Sequence, residues 1–547
     1  MTFSTQHAFV RRTMGVGETT NRHGRGCSTP QLSAALGLLA LACCGAELPQ
    51  TVATGATAAP VHSLERSVEA SGFSLKLSLA PLPNLLFQLD CLSETTLCAP
   101  AGYRALWQEL GLDADDRTAL ARWKALRTHH TGRMVAEPAL ADAALLVAGT
   151  HIDLAERQRI AQLRARSLDD FEASIALLTS DAAAHELRRI AERFEPRFAG
   201  FWQRSQASSS VYFDDMARLL GDRFLLQMLT RASHFYEHAA DSGEIYQINL
   251  IVQPHTSNPG TTAYQLERDF LVEAPERGKA SDVIDVLMHE LCHALLFGMP
   301  STSKLALLEA FSASEDPYAV VDYGVFDEAL ATSFGNGLVF RHYQPSQDFA
   351  RHSARNFRSQ YTSAGALAAA FFPSFEALLA SDVTVTSPEV LRALGQAARA
   401  SYREKGPRPV DYLHSHVLVA SPPWGTASER VRDAAFAGFP YLREFPRLDG
   451  EAQRYLLDHP LLNAALYLPS DADLASALAP LGVGSARIAE LHSAALRDRG
   501  LVYALARSPK SYLFVFLARD AASAGELAES FLALDAMREG PLVEQLH

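Results

Sequence analysis

At 547 residues, with 48% hydrophobic and 20% charged residues, the chain is composed like an ordinary folded protein. It is too long for one compact core and is expected to divide into about two to four domains. The formal net charge of −13, from 49 Lys+Arg against 62 Asp+Glu, argues against a dedicated nucleic-acid binder, which would need a concentrated basic face.

The N-terminus departs from that average. Arg11, Arg12, Arg22 and Arg25 precede an apolar, small-residue run from Leu32 to Ala42, "LSAALGLLALA". That run is too short to span a bilayer as a helix and has the length of a signal-peptide core. Residues 1–44 therefore read as a signal peptide, either cleaved after the small residues Ala40–Ala42 or of the bacterial lipoprotein type, with Cys43 or Cys44 carrying the lipid. The expected location is outside the cytoplasm: periplasmic, secreted, or tethered to the outer membrane. Residues 45–66, small, polar and containing proline, read as a flexible linker. Of the six cysteines, Cys91 and Cys98 sit close together in "CLSETTLC", either as a local disulfide or as two small buried hydrophobes.

From residue 67 to 240 the apolar residues recur at helical intervals, which predicts a helical domain. The texture then changes. "EIYQINLIVQP" (244–254) and "AYQLERDFLVEAP" (263–275) read as two strands, expected to pair as a long-looped hairpin. A helix follows in "SDVIDVLMHELCHALLFGMP", with Ser281 or Asp282 as its cap and Gly298 with Pro300 as its stop. Residues 241–420 are read as one domain and 421–547 as a C-terminal helical or α+β region with one strand, 511–520. The fold class expected is mainly α with a small β-sheet. The most apolar later stretch, Ala366–Ala380, contains Pro373 and Glu376 and reads as a core helix.

The helix after the strands carries His289-Glu290-Leu291-Cys292-His293. Residues four apart lie on one helix face, so both imidazoles can be aimed at a single Zn²⁺. Glu290 projects to the side, where a carboxylate can take a proton from a water activated by the metal. The neighbours Val286, Leu287, Leu291, Cys292, Ala294 and Leu295 are uncharged, as in a buried helix that can fix two ligands. Cys292 lies about 100° around the helix from His293 and reads as core packing.

A third ligand is needed. Asp327, Glu328 and Glu309 all lie downstream, and Glu328 stands in "DEALA" near the start of an expected second helix. His289-Glu290-x-x-His293 with a later Glu328-Ala329-Leu330-Ala331 resembles the gluzincin group of zinc metallopeptidases, over roughly the stretch from the first strand to Gly337. The resemblance implies a zincin-like catalytic core in which strands precede the active-site helix. It also implies His289, His293 and Glu328 as ligands of one catalytic zinc, Glu290 as general base and acid, and a peptide or protein as substrate. One departure stands out. Thr332 occupies the place of an aspartate that orients a zinc histidine in the thermolysin-like pattern, so another partner, Asp327 or Asp285, is expected to do so. No residue stands out as oxyanion donor among Tyr412, His414, His416, His342 and Tyr343. The contrasting expectation is a secreted or lipid-anchored helical binding protein whose zinc site is structural or degenerate.

Overall fold

The computed structural model describes residues 63–128, 154–238, 244–254, 263–344, 362–435 and 442–546, apart from short gaps at 71, 97, 99, 276–277, 317, 403–405, 414–415, 421–423, 446, 459–462 and 509–510. The expected signal peptide, and the linker up to residue 62, lie outside the described residues. The protein is mainly helical with two mixed sheets.

The chain opens on two strands, β1 (Leu64–Ala70) and β2 (Phe73–Leu79), that pair antiparallel. Among the described residues, eight helices follow in two groups: α1 (Pro81–Leu92), α2 (Pro100–Glu109) and α3 (Ala114–Thr128), then α4 (Leu154–Arg164), α5 (Leu168–Ala176), α6 (Asp181–Leu220) and α7 (Arg223–Phe235), with α8 (Ile284–Phe297) arriving after three more strands. Those strands are β3 (Ile245–Gln253), β4 (Ala263–Leu266) and β5 (Asp269–Pro275). Sheet order is β1-β2-β3-β5-β4, with β2, β3 and β5 parallel and the two edge strands antiparallel. The sheet therefore crosses residue 240, and the expected boundary there does not coincide with a break in strand pairing.

The expected long-looped hairpin is replaced by a different arrangement. Residues 263–275 are two strands, not one: the chain turns tightly at Glu267 and Arg268, with Glu267 in the left-handed region at φ 54°. β3 pairs parallel with β5, and β4 is left as the sheet edge. Alternation along β5 sorts its two faces. Phe270, Val272 and Ala274 join the core that holds α8, while Leu271 joins a smaller cluster with Phe87, Cys91 and Tyr103 from α1 and α2. Cys91 and Cys98 form a disulfide beside that cluster.

Beyond α8 come α9 (Ser301–Ala313), α10 (Ala319–Thr332), a π-helical segment (Ser333–Val339), α11 (Phe340–Tyr343), α12 (Thr362–Ala380) and α13 (Pro388–Ser401). Among the described residues no helix is long and apolar enough to cross a membrane. The second sheet starts at β6 (His416–Ala420) and takes in β7 (Leu442–Phe445), β8 (Asn463–Pro469), β9 (Asp498–Ser508), β10 (Ser511–Ala518) and β11 (Gly540–Leu546) in the order β11-β9-β10-β8-β6-β7. It crosses residue 420, and it contains several strands where one was expected. Its inner residues, such as Tyr467 and Phe516, belong to the same continuous core as α8.

Candidate metal centre

Helix α8 is buried along most of its length because ten of its fourteen residues, from Ile284 to Phe297, are apolar. Its start differs from expectation. Val283 occupies the cap position with no side-chain hydrogen bond, and Ala280–Asp282 form a single 3-10 turn ahead of it. Its end is the expected Gly298, and a side chain there is excluded because a Cβ would stand 2.5 Å from the ring of His238, which is itself fixed by Glu244 at 2.7 Å.

His289 and His293 converge from successive turns. Their Nε2 atoms are 3.1 Å apart, and the rings are nearly perpendicular. Helix α10 brings in Glu328, whose Oε1 lies 3.3 Å from Nε2 of His289 and whose Oε2 lies 3.4 Å from Nε2 of His293. All three side chains are buried. These groups could hold a metal ion. The separations give a direct test of fit: a tetrahedral ion with bonds of about 2.0–2.1 Å to nitrogen and oxygen spaces its donors by about 3.3 Å. Ala329 and Ala331, fully buried, are small enough to let α10 lie close to α8.

The other acidic candidates have different places. Asp327 does not join the donor set; its Oδ2 accepts from Nδ1 of His293 at 2.9 Å, on the far side of the ring. Glu309 is exposed on α9 and does not belong to the group of donors around the two imidazoles. Glu290 is buried next to the histidines without joining the donor set. Its neighbours are the two imidazoles, Glu328 and the main-chain amide of Gln265 on the edge strand β4.

Electrostatics separates the two glutamates. Burial pushes both carboxyls up. At Glu328 the contacts with His289 and His293 outweigh burial and hold the carboxyl far below the usual range. At Glu290 burial prevails over the attraction of the histidines, and the carboxyl is raised. Burial alone would lower His293, yet Asp327 and Glu328 raise it well above the ordinary imidazole value. Cys292 is fully buried, its thiol pushed up by burial, with Tyr236 and Asp327 near it.

Two further contributors have no motif in the sequence. The π-helical segment after α10 lies directly on the backbone of α8, and its Asn336 donates from Nδ2 to Asp285 Oδ2 at 3.3 Å. The only advance signal was the pair of glycines in "SFGNG". Of the residues weighed as oxyanion donors, Tyr412 packs on Tyr512 and His342 stacks on Phe224. Comparison with protein-family models, with curated proteins and with solved structures found no match in any of the three.

Proposed function

We propose that this chain is an exported zinc-dependent peptidase of the gluzincin kind, with a zincin-like core made of the first sheet, α8 and α10. The reading rests above all on one observation: three neutral-or-anionic donors converge at tetrahedral spacing while a fourth buried group, the carboxylate of Glu290, sits beside them without belonging to the set. A purely structural site has no use for that fourth group.

His289, His293 and Glu328 would hold the ion. When bound, zinc supplies a Lewis acid and brings the pKa of an attacking water near neutrality. Glu290 would serve as general base and acid, taking a proton from the attacking water and giving one to the leaving amine. Burial raises its carboxyl toward working pH, which suits a group that must both take and give a proton. Asp327 holds the His293 ring so that Nε2 faces the donor set. The edge strand β4 runs beside Glu290, and an extended peptide can add to such an edge as a further strand. The Cys91–Cys98 disulfide is in keeping with a chain that folds outside the reducing cytosol, as the N-terminal signal reading requires.

The test is to measure bound zinc together with cleavage of casein and of a peptide library for the wild type, Glu290→Ala and Glu328→Ala. Glu290→Ala is expected to retain zinc and lose cleavage; Glu328→Ala is expected to weaken zinc binding. Cleavage by Glu290→Ala at the wild-type rate would overturn the mechanism. Stoichiometric zinc with no cleavage of any peptide would favour the structural-site reading instead.

A further inference from the structure

An imidazole that ligates a metal through Nε2 carries its proton on Nδ1, and that N–H needs an acceptor. At His293 the acceptor is Asp327. At His289 the Nε2 atom faces the donor set, and Nδ1 is buried with no hydrogen bond. A buried donor left in that condition is destabilising, so an acceptor is expected within reach when the ring ligates through Nε2.

Asp285 is placed to take that role. It lies four residues before His289, so the two side chains share one face of α8, and it is buried. Its carboxylate is anchored by Asn336, which reaches it from the π-helical segment. That segment approaches so closely that a Cβ on Gly335 would stand 2.3 Å from the carbonyl oxygen of Asp285 and 2.6 Å from the amide nitrogen of His289. Backbone atoms cannot give way at such distances, so residue 335 must be glycine for Asn336 to reach its partner. π-Helical segments occur preferentially at functional sites, and here the wide turn is what lays Asn336 over α8.

We propose that Asp285, held by Asn336 through the glycine contact at residue 335, is the positioning carboxylate of His289: it accepts the Nδ1 proton and so presents Nε2 to the metal. This inference rests on the metal-centre reading above. The two imidazoles are then oriented by two different devices, Asp327 from the neighbouring helix for His293 and Asp285 from within α8 for His289.

The full chain is tested by chelator competition for zinc and by NMR of the zinc-loaded protein with 15N-labelled histidine. The wild type is expected to show a protected Nδ1 proton on His289. Asp285→Leu, which has no acceptor, is expected to lose that signal and to bind zinc about 10–100-fold more weakly. Asp285→Asn keeps an acceptor oxygen and is expected to recover most of the affinity, with a metal-free melting temperature like that of wild type. Gly335→Ala is expected to weaken zinc binding by displacing Asn336. If Asp285→Leu fails to fold, the wild-type spectrum decides. A His289 Nδ1 proton exchanging freely with solvent, or an Asp285→Leu variant binding zinc within about twofold of wild type, overturns the assignment while leaving the metal centre intact. A wild type that binds no zinc overturns both.

Discussion

Asp327 and Glu328 are neighbours in sequence and serve the site differently. Glu328 turns both carboxylate oxygens toward the two Nε2 atoms, whereas Asp327 meets the back of the His293 ring. Their removal should therefore fail in different ways. Glu328→Ala removes a donor and should leave the site unable to hold zinc through chelator dialysis. Asp327→Ala leaves three donors and should weaken zinc about 10–100-fold, measured by the same dialysis and by competition titration. Legibility at this scale was uneven for a clear reason. His289, Glu290 and His293 share one turn of helix, so spacing alone places them. Glu328, Asp327 and Glu309 are brought near α8, or kept from it, only by how later helices pack, and no local pattern ranks them. Asn336 had no motif to mark it beyond the glycines on either side, because its role depends on a π-helical turn.

Strand β2 and the hairpin β4–β5 show where elements were and were not readable. "FSLKLSL" alternates, with Phe73, Leu75, Leu77 and Leu79 buried, a period-two signal hidden by the helical text that follows. The turn at Glu267–Arg268 has neither glycine nor proline, so the hairpin looked like one strand. Between helices, Asp116 at the start of α3 is gripped by Arg193 and Arg197 from α6 at 2.7 and 2.6 Å. Burial pushes its carboxyl up, but the Arg197, Asp113 amide and Arg193 hydrogen bonds outweigh it and hold it well below the usual range. A lowered folded-state pKa stabilises the protein above the unfolded value of about 3.9, and that stabilisation fades as pH falls below it. Asp116→Asn should cost about 1.5–3 kcal/mol at pH 7. The gap should close on acidification below about pH 4, read by urea unfolding at each pH. At the other end of α8, Gly298→Ala should destabilise the fold by about 1–3 kcal/mol, because His238 is fixed by Glu244 and cannot yield.

Across the whole molecule, one continuous core runs from the first sheet through α8, α10 and α12 into the second sheet. Boundaries drawn at residues 240 and 420 follow changes of texture along the chain, whereas the sheets recruit strands from both sides of each. Sequence texture reports local periodicity, and strand pairing between segments more than 150 residues apart leaves no trace in it. That core holds α8, whereas the disulfide sits in the smaller cluster on the other face of β5, where it ties down the loop that follows α1. Cys91→Ser with Cys98→Ser should lower stability by about 2–3 kcal/mol, seen as a fall in melting temperature under oxidising conditions that disappears when the wild type is reduced. The proposed activity is tested most directly by returning zinc in steps to the metal-free full chain while following hydrolysis of an unstructured peptide substrate. Cleavage should rise in proportion to zinc up to one equivalent per chain and then level off, with Glu290→Gln taking up the same equivalent but staying at background. Hydrolysis that persists after complete removal of zinc, or that is absent at full occupancy, would contradict the account.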